Sequence, residues 1–185
     1  DHILLGGDNM DLALAHLVRN RLVAEGKEVV RWQMVALTHA CRVAKERLLS
    51  DESVQSTPIA IAGRGSNLFG GALRTELGRD EVTASLVDGF FPEVPSSARP
   101  TVRARTGLQQ LGLPYASDPA VTKHLAGLIA RQAGALDAIE GFSRTGRAGS
   151  LLHPTAILFN GGVMKSARLR ERVLATIDAW LAVDG

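Results

Sequence analysis

The sequence predicts an α/β domain, on three observations. Two stretches, about Asp8–Glu25 and Arg31–Leu49, repeat apolar residues at helical spacing. Between Thr57 and Leu77 the period shortens, and two β-like runs flank the glycine-rich turn "GRGSN". Near the end, "PTAILFNGGVMKSARLRERVLATIDAWL" reads as a short apolar strand, a Gly-Gly turn and a helix. With 185 residues, 45% of them apolar and 22% charged, the chain has ordinary globular composition and can bury one sizeable core or two small lobes.

The first helix places Met10, Leu14, Leu17, Val18 and Val23 inward, is capped by Asp8 or Asn9, and closes at Gly26. The second has Trp32, Val35, Ala36, Ala40, Val43, Ala44 and Leu48 as its apolar face, with Arg42 and Glu46 spaced for an i,i+4 pair. Ile59 and Ile61 share one face of the first strand. The second strand, about Leu68–Leu77, contains Gly70-Gly71, which suggests a bulge. In "GRDEVTASLVDGFF", Asp80 and Glu81 favour a helix start, and Val82, Leu86 and Val87 face inward.

Residues 92–150 are the least regular, with a short "GLQQLGL" turn and a helix over "SDPAVTKHLAGLIARQ". That helix has Asp118 as its cap, Pro119 at its first position, and Val121, Leu125, Leu128 and Ile129 as its core face. Residues 134–150 are glycine-rich and read as a loop. The closing helix sets Leu169, Val173, Ile177 and Leu181 inside.

Several functions are disfavoured. The net charge is only +2 and aromatics are 4%, with no nucleic-acid-binding module, so the arginines read as a solvated surface. No apolar run is long enough for a membrane helix, and no signal peptide is evident. Cys41 stands alone, which fits a reducing, cytoplasmic setting and a buried structural role. The five histidines follow no metal-ligand spacing, and no nucleophile elbow or Walker loop appears. What remains are two Gly-Gly turns, Gly6-Gly7 and Gly161-Gly162, each ahead of a helix. Such turns admit phosphate to backbone amides, and together they could serve one nucleotide; taken singly, each is more often a packing turn.

Three stretches, in order, resemble one family. "HILLGGDNMD" resembles the "HLGGEDFD" turn in the ATPase domain of the DnaK-like, seventy-kilodalton heat-shock chaperones. "LTHACRVAKERLLSDE" resembles that family's "L-R-x-x-C-E-x-A-K-R-x-L-S" helix, and "ILFNGGVMKSARLRERV" its "IVLVGGSTRIPKIQxLL" adenosine loop. The wording is closest to a divergent bacterial branch.

The resemblance implies an actin-like (ribonuclease H-like) ATPase fold. The chain would be a fragment of lobe II: subdomain IIB over about 8–91, an insertion-like region over 92–150, and the returning strand and helix of IIA over 151–185. Both glycine-rich phosphate hairpins, lobe I and a peptide-binding region would lie outside it. The implied ligand is ATP or ADP, with Mg in the longer protein and no metal ligand in this chain; the implied partners are those missing parts and an exchange factor or co-chaperone. The implied nucleotide contacts are Gly6, Gly7, Arg42, Lys45, Glu46, Gly161, Gly162, Val163 and Lys165. Arg42 and Glu46 stand where the family has Glu and Arg, and Val163 and Lys165 where it has Ser and Arg, which alters ribose bonding and adenine stacking. No catalytic residue is implied, so the chain alone is expected not to hydrolyse ATP. A non-catalytic interaction domain, or a lobe of another actin-like ATPase or sugar kinase, is the alternative.

Overall fold

The computed structural model describes residues 5–63, 71–101, 118–135 and 150–184. The fold is mixed α and β, mainly helical with one small antiparallel sheet. Two compact units divide the chain, Gly6–Val87 first and Asp88–Gly185, with Asp1–Leu5, second.

In the first unit, α1 (Gly7–Ala24) and α2 (Arg31–Ser50) pack together, and β1 (Ser56–Ile61) packs on α2. The Asn9 side chain accepts a hydrogen bond from the Gly6 amide at 2.8 Å, so Asn9 satisfies the turn just before α1. Inward positions of α1 are Met10, Leu14, Val18 and Leu22; Leu22 replaces the expected Val23, which is exposed. Gly26, at φ +77°, turns the chain out of α1 in the left-handed conformation that glycine adopts without strain.

The inward face of α2 is a correction. Leu37, Cys41, Ala44 and Leu48 are buried, as expected for the last three, whereas Trp32, Val35 and Val43 are exposed. This helix carries two apolar stripes, and periodicity alone could not choose between them. The choice is fixed by two polar side chains on the buried side. The Gln33 amide donates to the Ala62 carbonyl at 2.8 Å and its oxygen accepts from the Val30 amide at 3.0 Å. Lys45 is the second, and finds its partner on α1.

β1 pairs antiparallel with β2 (Leu73–Gly78), with Thr57 opposite Leu77 and Ile61 opposite Leu73. The alternation buries Thr57, Ile59 and Ile61 on one face, as the period-two reading requires. β2 begins at Leu73 rather than Leu68; the "RGSN" turn and Leu68 to Gly70 lie outside the described residues. A helical turn, α3 (Arg79–Val82), runs directly into a π-helical stretch (Thr83–Asp88) that the periodicity did not anticipate. Val82, Leu86 and Val87 are buried as expected. Glu81 fixes this junction: it accepts from the Gly78 amide at 2.9 Å and pairs with Arg21 of α1 at 2.7 Å.

In the second unit, α4 (Val121–Arg131) starts later than expected, leaving Pro119 outside it. Its buried positions are Thr122, Ala126, Gly127 and Ile129, and Leu128 is exposed instead of buried. The rotation has a cause: the Thr122 hydroxyl donates to the Pro92 carbonyl at 2.7 Å, drawing that face inward. Helix α5 (Ala167–Asp184) buries Leu169, Val173 and Ile177 as expected; Trp180 is buried where Leu181 is only partly so, its indole N–H donating to the Val94 carbonyl at 2.6 Å. The "GLQQLGL" turn and most of the 134–150 loop lie outside the described residues.

Residues 154–160 form no strand. The segment is apolar and irregular, yet Leu158 is 94% exposed, and no strand pairs with it among the described residues. A strand exists only through the neighbour that takes up its backbone groups, which the apolar run itself cannot supply.

Candidate functional site

The expected contact residues fall into two groups, one in each unit. The first gathers where α1 begins. Gly6 precedes the helix with extended backbone, Gly7 is its first residue, and a side chain added at Gly6 would meet open space. That turn is therefore approachable from outside. Lys45, from the middle of α2, reaches it: its ammonium donates to the Gly7 carbonyl at 3.4 Å. Two sequence stretches singled out separately thus meet at one point.

The same ammonium lies 2.6 Å from Asp11 Oδ1, and both side chains are buried, at 9% and 5% exposure. Asp11 has no place in the sequence reading. Its signal was an acidic residue on the buried side of α1, four residues beyond Gly7. A buried carboxylate requires a counter-charge, and Lys45 supplies it. Lys45 therefore acts as a strut between α1, α2 and the glycine turn.

Arg42 and Glu46 flank this strut on the solvent side. They pair with each other at 3.2 Å with more than half of each side chain exposed, so both remain able to exchange that contact for another. Cys41, one turn from Lys45, is fully buried. Burial, and secondarily the Asp11 carboxylate, push its thiol up to about 12 against a smaller opposing effect of Arg21, so it holds no thiolate at neutral pH.

The second group follows the apolar segment 154–160. Gly161 takes φ +91°, a conformation that favours glycine, and its amide donates to Asn160 Oδ1 at 2.7 Å. Side chains added at Gly161 or Gly162 would meet nothing within 4 Å. The expectation that this turn opens directly into a helix is corrected: a short 3₁₀ turn (Val163–Lys165) and Ser166 intervene before α5 begins. The free amides and positive end of α5 therefore lie at Ala167, away from the glycines. Lys165 is exposed, its carbonyl and that of Met164 held by Arg170 at 2.9 and 2.8 Å. Val163 is half-buried in the 3₁₀ turn.

Among the described residues, no group of three His, Cys, Asp or Glu side chains is arranged to hold a metal ion. No described helix is long and apolar enough to cross a membrane. Elsewhere in the second unit, a groove of about 420 Å³ runs between α5 and residues 93–96, lined by Val94, Pro95, Ala179, Trp180 and Val183. Comparison with known protein families, curated proteins and solved structures finds no match to this chain.

Proposed function

We propose that this chain is the nucleotide-binding part of a DnaK-like chaperone, a lobe II fragment of an actin-like ATPase domain that contributes one wall of an ATP/ADP pocket. The observation that carries the reading is the meeting of Lys45 with Gly7. The lysine of the "CRVAKE" helix is held against the "LLGGDN" turn, and these are two of the three stretches on which the resemblance rests. The order of elements supports it further: paired helices, an antiparallel strand pair, a helix, and a closing glycine turn ahead of a helix.

Within this reading the roles divide. Gly6 in the first unit, and Gly161 and Gly162 in the second, offer open backbone to ribose and phosphates, and Gly7 adjoins Gly6 at the start of α1. Lys45, tied to Asp11, positions the first turn. Arg42, Glu46 and Lys165 are the exposed side chains that contact nucleotide, and Val163 lines the second turn. ATP would bring its own magnesium on the phosphates, and no step of phosphoryl transfer is assigned to these residues. In the longer protein, lobe I, a peptide-binding region and an exchange factor or co-chaperone are the partners, in the cytoplasm.

Titration of a fluorescent ADP analogue into the chain tests this. The reading requires saturable binding that ADP and ATP reverse and inorganic phosphate does not, and that weakens in Gly161→Val. It fails if no saturable signal develops at millimolar nucleotide, or if Gly161→Val binds as the parent does.

A further inference from the structure

The second apolar stripe of α2 has a use that the nucleotide reading does not absorb. Trp32, Val35, His39 and Val43 recur at i, i+3, i+7 and i+11 and so share one face. Trp32 is 51% exposed, Val35 72% and Val43 54%. The opposite face of the same helix is already spent on the core through Leu37, Cys41, Ala44 and Leu48. A stripe about 16 Å long, at helical pitch, with a tryptophan at one end, has the dimensions of a helix–helix contact, and an exposed apolar patch of this kind marks an interaction surface.

The flanks decide the occupant. Arg31 and Arg42 border the stripe on one side and Arg47 on the other, all exposed, and Glu46, on the same face, pairs with Arg42 at 3.2 Å, so the arginines outnumber the acid and the face is net positive. A second copy of the chain fits poorly. Packed antiparallel about His39, two copies of α2 would line up Arg31 and Arg42 of both along one border. Like charges across an interface cost affinity, whereas acidic flanks on a partner would complement these arginines. The geometry points to a docking surface for an amphipathic helix of another protein, with an apolar stripe seated on Trp32, Val35 and Val43 and acidic residues bordering it. The apolar stripe itself does not rest on the nucleotide reading, but Arg42 and Glu46 are shared with it, so the surface is tested without nucleotide.

The probe is a synthetic helical peptide with Leu and Ala on one face and Glu along both borders, titrated into the whole chain. Trp32 is the reporter, because the other tryptophan, Trp180, is buried. The expected result is a saturable blue shift of emission that weakens about tenfold or more as salt is raised. It should be lost in Val35→Lys and in Val43→Lys, both at exposed positions and so expected to keep the parent's circular dichroism and Tm. Four outcomes overturn the proposal: no shift at millimolar peptide, equal binding of a Lys-bordered twin, full binding by folded Val43→Lys, or concentration-dependent dimerisation of the chain alone through this face.

Discussion

Lys45 Nζ lies 2.6 Å from Asp11 Oδ1 inside the first unit, and the same ammonium donates to the Gly7 carbonyl. One side chain thus joins the glycine turn, α1 and α2. The arrangement is costly to break from one side, because the surviving charge stays buried without its partner.

Replacing Lys45 by Met should therefore destabilise the chain by about 3–5 kcal/mol, while Lys45→Met with Asp11→Leu should recover much of that loss. Urea unfolding of the two single variants and the double variant measures the coupling. Additive losses would mean that the pair is not a unit.

The two faces of α2 should respond differently to truncation. Leu48→Ala, at a fully buried position, should cost about 2–5 kcal/mol. Val35→Ala, on the exposed stripe, should stay within about 0.5 kcal/mol of the parent. Equal costs would return Val35 to the core. Periodicity made the opposite assignment for this residue.

Asp118 carries a pH signature. Burial alone would raise its carboxyl, but the Thr101 amide at 2.9 Å, the Lys123 ammonium at 2.9 Å and the Ala120 amide at 3.0 Å together hold it well below the usual carboxylate range. A depressed folded pKa stabilises the fold above the unfolded value, and that contribution is lost as pH falls toward the folded value. The stability gap between the parent and Asp118→Asn should thus be full at neutral pH and close on acidification below about pH 4. Denaturant titrations across that range would show it; a gap that widens with acid contradicts the assignment.

Cys41 should be inert in the native chain. With its thiol pushed up to about 12 by burial, alkylation at pH 8 should be slow in buffer and fast in urea. Rapid native modification, followed by mass, would mean that the interface between α1 and α2 opens readily.

What the sequence determined by itself was local. The spans of α1, α2 and α5 follow from helical periodicity and Gly26; the Arg42–Glu46 pair follows from i,i+4 spacing, and the buried Ile59 and Ile61 from alternation. These depend on residues within a turn or two of one another, and that information is contiguous in the chain. Tertiary structure decided what depends on distant neighbours. The α2 face was settled by Gln33 reaching Ala62 and Lys45 reaching Asp11, and the α4 face by Thr122 reaching Pro92. Whether the apolar run before Gly161 becomes a strand depends on another strand's backbone, and among the described residues none pairs with it. A helix satisfies its hydrogen bonds within itself, so its existence can be read from local sequence; a buried face or a strand is completed only by another part of a protein.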